Sequence, residues 1–153
     1  MPRRANTESI GHLVADISRL IRAEMDRAIA EAGIGVTAGE ARALFHAARA
    51  GRVRQNVLAE RMGVEAMTLS GYLDRLEAHG LVTRIGDPKD RRAKLVELTE
   101  AADAVLDAVS DVAVQVRRKA AGALSDDEWN ALLEQLKTVR GNLAGQTPKE
   151  DAT

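Results

Sequence analysis

The sequence predicts a mainly α protein carrying one small β-hairpin. Three observations predict it. Apolar residues recur at helical spacing through most of the chain, and alanine is abundant. Only one pair of runs, LVTRI and AKLVEL, reads as strand, and these flank the turn-rich GDPKDRR. Finally, 45% hydrophobic residues suffice for a core, but only 2% are aromatic, so packing must rely on Leu, Val, Ile and Ala. At 153 residues the chain fits one domain, or one domain with a dimerising extension.

From the N-terminus, residues 1–8 read as a flexible basic tail. Ile10, Leu13, Ile17, Leu20, Ile21, Met25 and Ala28 then form one helical face, which Val14 and Ile29 widen, so this helix should pack on more than one partner. Gly33 and Gly35 break it. Thr37-Ala38-Gly39-Glu40 is a capping box, opening a helix to about Ala50 with Ala41, Leu44, Phe45 and Ala48 expected inward and Gly51 as terminator.

The stretch from Gln55 to Thr99 organises the rest. LAERMGV places Leu58, Ala59 and Met62 on one side of a short helix, with Gly63 positioned to end it in the left-handed conformation. A second helix follows, with Leu69, Leu73 and Leu76 (plus Tyr72) on one face and Gly80 as its stop. Two short helices joined by a tight Gly-containing turn form a helix-turn-helix, whose second helix can lie in a DNA major groove. The hairpin after it would be the wing of a winged helix-turn-helix. Its second run, AKLVEL, does not alternate cleanly, so the pattern assigns it no inward face.

Thr99 is placed to cap a long helix, with Glu100 and Asp103 near its positive end and a stripe of Ala102, Val105, Leu106, Val109, Val112, Ala113 and Val116. Arg117, Arg118 and Lys119 suit its C-terminus. Ser125-Asp126-Asp127-Glu128 is a second capping box, opening a last helix with Trp129, Leu132, Leu133, Leu136, Val139 and Leu143 on one face. The final residues, 145–153, read as a second flexible tail.

Charge is unevenly distributed. Between Arg42 and Lys94 eleven basic residues face six acidic ones, so this span carries +5 and leaves −6 for the remainder of a chain whose net charge is −1. A polyanion-binding surface is therefore expected in the middle segment. The terminal helices show more apolar face than one winged helix can cover, and pairing with a second copy is the economical way to bury it. A two-fold dimer would set two recognition helices roughly 34–36 Å apart, one DNA turn, matching an inverted repeat.

LAERMGV, LDRLEAHGLVTR and DPKDRRAKLVELT, in that order, resemble the MarR family of bacterial transcriptional regulators. The most specific element is Asp-x-Arg followed after five residues by Leu-Thr, here Asp90, Arg92, Leu98 and Thr99. The resemblance spans about Ile10 to Leu143. It implies a triangular dimer with a winged helix-turn-helix DNA-binding domain over 37–99 and N- and C-terminal dimerisation helices within 9–36 and 100–144. It also implies a repressor that binds a palindromic operator and is relieved by a small-molecule effector, often an aromatic or lipophilic anion.

The expected DNA contacts follow. Met67, Thr68, Ser70 and Gly71 lie at the start of the second helix, away from its leucines. Hydroxyls there can meet bases or phosphates, and Met67 can touch a thymine methyl. Arg75 lies further along the same helix. Lys89, Asp90, Arg91, Arg92 and Lys94 surround the wing turn. By resemblance Arg92 enters a narrow, A·T-rich minor groove, while Asp90 braces a neighbouring arginine (Arg92, Arg75 or Arg84). Glu65 would repel a phosphate near the helix start, and Gly71 stands where related regulators often carry a larger polar or basic side chain. These two departures favour shape readout over direct base readout, and they keep open an alternative: a winged-helix protein–protein adaptor without sequence-specific DNA binding.

By the same resemblance an effector pocket would draw on the first, second and fifth helices, with His12, Arg42, Phe45 and His46 as its candidates. The absence of cysteine excludes disulfides and thiol switches. His12, His46 and His79 lack clustered ligand spacing, so neither a zinc site nor any other metal or cofactor is expected. No catalytic constellation or phosphate-binding Gly-rich loop is present, so an enzyme is not expected. With no apolar run long enough to span a bilayer, and with MPRRANTE lacking a secretory h-region, a cytoplasmic location without membrane attachment is expected.

Overall fold

The computed structural model describes residues 8–145; the sequence-predicted tails fall almost wholly outside this range. Among the described residues six helices and three strands follow in the order α1 (Ile10–Ala32), α2 (Ala38–Ala50), β1 (Val53–Arg54), α3 (Gln55–Met62), α4 (Ala66–Ala78), β2 (Val82–Asp87), β3 (Asp90–Leu98), α5 (Ala102–Ala121) and α6 (Asp126–Leu143). The chain divides into two compact units, 1–116 and 117–153, with the junction inside α5. No helix among the described residues is long and apolar enough to cross a membrane.

The first unit holds two clusters of buried side chains. The larger joins Leu44 and Ala47 of α2, Leu58 and Ala59 of α3, and Leu69, Leu73 and Leu76 of α4 to Val82 and Val96 of the sheet, with Ala102 closing it. The three α4 leucines are the face that the sequence pattern marked as inner. The second cluster sets Ile29 of α1 and Ala41 of α2 against Val109, Val112 and Val116 of α5, with Met25 and Ala28 at its margin. The C-terminal half of α1 is thus packed. Its N-terminal half keeps Ile10, Leu13, Val14, Ile17, Leu20 and Ile21 exposed.

Helix ends follow their local chemistry. Thr37 accepts from the Glu40 amide while Glu40 reaches back to the Thr37 amide, completing the capping box. Gly63 (φ 65°) ends α3, and the Val64 amide bonds back to the Ala59 carbonyl, the paired pattern of a left-handed helix stop. Thr99 departs from expectation. Its hydroxyl donates to the Gly80 carbonyl (2.6 Å), tying the end of β3 to the turn after α4, and α5 begins three residues later without it as side-chain cap. On α2, Phe45 and Ala48 point outward and Ala43 and Ala47 take the buried places, because the core meets this helix on the face centred on Leu44.

The sheet has three antiparallel strands in the order β1-β3-β2, one more than the predicted hairpin. Val53 and Arg54 pair with Val96 and Leu95, which makes β3 the central strand. The wing turn is also tighter than GDPKDRR suggests: β2 runs to Asp87 and β3 starts at Asp90, leaving Pro88 and Lys89 as the turn. Register passes from Gly86↔Lys94 to Asp87↔Asp90. Arg91, Arg92 and Ala93 are therefore surplus on β3, a bulge that turns side chains away from the ladder. Beyond the bulge Lys94 to Leu98 pair in regular register, and AKLVEL shows no clean alternation because only Val96 is buried while Leu95, Glu97 and Leu98 are all half-buried.

In the second unit Ser125 and Glu128 form the predicted capping box of α6. The Ser125 amide holds the Glu128 carboxyl below its ordinary range. Arg117 stands over the Trp129 ring, 6.0 Å from its centroid. No residue of α6 is buried, and Leu132, Leu133, Leu136 and Leu143 lie exposed along it.

Candidate nucleic-acid interface

Burial separates the two faces of α4. Leu69, Leu73 and Leu76 are buried, whereas Met67 is 88% exposed, Thr68 is exposed, and Ser70 and Gly71 are half-buried. All four predicted contacts at the start of α4 therefore lie off its leucine face. Glu65 is the N-cap residue but makes no side-chain capping bond.

The basic residues of the middle segment sort into two groups. One group is engaged by carboxylates. Arg52 pairs with Glu97 (3.0 Å), Arg54 with Asp87 (2.7 Å) and Arg75 with Glu40 (2.6 Å), while Arg84 reaches both Asp74 (2.7 Å) and Glu77 (3.1 Å). Arg84 ties β2 to α4, Arg75 ties α4 to α2, and the Arg54–Asp87 pair ties the wing turn to the residue that precedes α3. The Arg84 hydrogen bond lowers the Glu77 pKa, and the guanidinium is raised in return, chiefly by Glu77. The second group is Lys89, Arg91, Arg92 and Lys94. All four are exposed, and among the described residues their side chains make no hydrogen bond or ion pair. Arg49 of α2 and Arg61 of α3 are exposed and unpaired as well, so among the described residues the wing holds four of the six free cations of this segment.

Two aspartates shape that wing from within. Asp87 accepts the Lys89 amide (2.9 Å), and this bond, against an opposing effect of burial and with help from Arg54, holds its carboxyl below the ordinary value. Asp90 accepts the Arg92 amide (3.0 Å). Its partner is therefore the Arg92 backbone rather than a guanidinium, and Arg75 and Arg84 are held by other acids. A short polar side chain closing onto an amide two residues on is the local chemistry of a turn.

Arg75 occupies a different setting from the wing cations. Its guanidinium lies 5.9 Å from the Tyr72 ring centroid and bonds Glu40, which is only 3% exposed. Burial works against the charged form of Glu40, but the Thr37 amide and Arg75 outweigh it, so its pKa is lowered. A β-carbon at Gly39 would stand 2.4 Å from the Tyr72 ring, so glycine there is what lets α4 approach the start of α2. Sequence reasoning placed Arg75 among the DNA contacts and missed Gly39, Glu40 and Tyr72 as the set that seats this helix. The capping box gave Glu40 a local role and hid the long-range one.

A cleft of about 420 Å³ opens between the wing and the helices, lined by Gln55, Asn56, Ala66, Asp90, Arg92, Ala93 and Lys94. Gln55 and Asn56 carried no signal in the sequence beyond their place at the start of α3. The effector candidates are less well gathered. Arg42 reaches Asp26 of α1 (3.7 Å) and shares α2 with Phe45 and His46, whereas His12 lies in the first turn of α1 and bonds Ser9 (2.8 Å). The cleft alongside α1 is lined by Ala15, Ser18, Arg19, Arg22, Ala23 and Asp26, none of the four. No group of three or more metal-ligating side chains occurs among the described residues.

A helix-turn-helix with its second helix exposed on one face, followed by a charged β-wing, defines a winged helix-turn-helix protein. Comparison with known proteins places it further: residues 34–93 match the MarR family model. A probable transcriptional regulator from Pseudomonas aeruginosa is 30% identical, with 86% of this chain and 97% of that chain covered and a TM-score of 0.69. Wild-type MarR from E. coli in its apo form shares the fold at 24% identity, covering 88% and 98% of the two chains with a TM-score of 0.78. Bordetella bronchiseptica BpsR, whose DNA binding is regulated by 6-hydroxynicotinic acid, does so at 24% identity, 91% and 98% coverage and a TM-score of 0.72. The chain belongs to the MarR family and is a transcriptional regulator.

Proposed function

We propose that the protein is a homodimeric repressor that binds an inverted-repeat operator and is released by a small-molecule effector. One observation carries the DNA-binding part. Arg52, Arg54, Arg75 and Arg84 are spent on carboxylates, while Lys89, Arg91, Arg92 and Lys94 cluster unpaired on the wing beside the exposed start of α4. Met67, Thr68, Ser70 and Gly71 meet the major groove, and Arg92 the adjacent minor groove. Arg75 acts by holding α4 against Glu40, and Asp90 by shaping the turn that presents Arg92.

Dimerisation is supported by two exposed apolar rows, Ile10 to Ile21 on α1 in the first unit and Leu132 to Leu143 on α6 in the second. Rows of this kind rarely stay in water. The effector reading draws on the BpsR relative, whose ligand is an aromatic acid. Arg42 and His46 on α2 offer a guanidinium and an imidazole contact for such a carboxylate, with Phe45 beside them and His12 on α1 as the outlying candidate.

The test is selection of duplexes from a random DNA library by the purified protein, followed by titration against salt. An enriched inverted repeat with half-sites about one turn apart is expected. Weak, sequence-indifferent binding that vanishes at physiological salt would instead favour the adaptor reading, to which Glu65 and Gly71 lend support.

A further inference from the structure

We infer that the cleft between α3, α4 and the wing seats one backbone phosphodiester of the DNA, with Asn56, Gln55 and Lys94 as its contacts. The inference rests on the proposed DNA-binding role and adds to it two residues of the first helix of the helix-turn-helix. The lining combines two amide side chains, Gln55 and Asn56, two cations, Arg92 and Lys94, one carboxylate, Asp90, and the methyl groups of Ala66 and Ala93. With Arg92 directed to the minor groove, Lys94 is the cation of the lining left to meet a phosphodiester, and the two amides supply its neutral donors.

The cations are unspent: neither the Arg92 guanidinium nor the Lys94 ammonium has an ion-pair or hydrogen-bond partner among the described residues, and both residues are exposed. Asn56 is exposed at the second residue of α3, where its amide can donate to an oxyanion without leaving a bond in the fold. The acid does not close the site, because one Asp90 oxygen accepts the Arg92 amide. The cleft is flanked by the two elements proposed to enter adjacent grooves, the start of α4 (Ala66) and the wing (Arg92). The strand between two adjacent grooves is sugar–phosphate backbone, so a protein that enters both must pass that strand through such a cleft. It is also open to solvent on its outer side, as a passing strand needs and an enclosed small ligand does not.

Asn56→Asp in the full-length protein tests this on the selected duplex by fluorescence anisotropy. A carboxylate in the first turn of α3 favours the helix, so thermal stability should hold or rise while affinity falls at least tenfold. Lys94→Ala should lower the slope of log K against log salt by about 0.9 per subunit. A methylphosphonate scan of the duplex should find one position per half-site where neutralising the phosphate costs the wild type affinity but costs Lys94→Ala nothing more. If the wild type binds the duplex specifically while Asn56→Asp and Lys94→Ala keep its affinity and slope, the cleft assignment fails and the regulator reading stands. If the wild type binds no duplex specifically, the regulator reading itself fails. Inorganic phosphate should displace the DNA no better than chloride at equal ionic strength. Stronger displacement that Asn56→Asp abolishes would make the cleft a free-anion site and overturn the inference.

Discussion

Glu40→Gln is the substitution that most directly probes how α4 is seated. Glu40 is almost wholly buried, bonds the Thr37 amide at 2.8 Å and receives Arg75 Nε at 2.6 Å. Glutamine keeps the volume and one neutral acceptor, which can serve the Thr37 amide and retain the capping box, while the charged acceptor of Arg75 is lost. A hydrogen bond to a charged group contributes about 1.5–3 kcal/mol. Because the Arg75 side chain is 55% exposed and water screens it, the lower end applies, about 1.5 kcal/mol. For a chain of this length that corresponds to a melting temperature lower by roughly 3–6 °C.

The pH dependence has a definite sign. The folded pKa of Glu40 lies below its ordinary 4.5, so the contribution is fully present above that value and is lost as pH falls through the folded pKa. Urea unfolding of both proteins, followed by far-ultraviolet circular dichroism at one fixed protomer concentration, should show the gap at neutral pH and its closure in acid. A gap absent at neutral pH, or unchanged well below pH 4.5, would refute the assignment of Glu40 as the charged anchor of Arg75.

Three further outcomes are expected. Gly39→Ala should destabilise by about 1–3 kcal/mol through overpacking on Tyr72 and become neutral or stabilising in a Tyr72→Ala background, as double-mutant melts will show. Asp87→Ala should speed hydrogen exchange at the Lys89 amide and weaken DNA binding while the α-helical core keeps its protection, since it frees both the turn and Arg54. Replacing Leu132 and Leu136 together by Glu should give a helical monomer in sedimentation velocity; a persistent dimer would remove α6 from the dimer interface.

Where residues act on near neighbours, the sequence was readable. Both capping boxes, the bounds of α1 and α6, the left-handed stop at Gly63 and the buried leucines of α4 all follow from spacing along one helix. What spacing could not show depends on partners far along the chain. Strand β1 is two residues long and exists only because β3 offers it an edge. Thr99 has the composition of a cap, yet the Gly80 carbonyl, nineteen residues earlier, takes its hydroxyl. Glu40 meets Arg75 across thirty-five residues, and no local pattern distinguishes that arginine from the free ones on the wing. Along β3 Leu95, Glu97 and Leu98 are all half-buried beside the buried Val96, so the strand lacks the inside–outside alternation that a period-two reading takes for granted.

The central claim is that a dimer grips an inverted repeat through wings tipped by Arg92. Sedimentation of the protein with the selected duplex, paired with affinity measurements on wild type and Arg92→Ala, tests it most directly. Two chains per duplex are expected, with Arg92→Ala at least tenfold weaker (about 1.4 kcal/mol or more) and still dimeric. One chain per duplex, or an unchanged affinity for Arg92→Ala, would contradict the account.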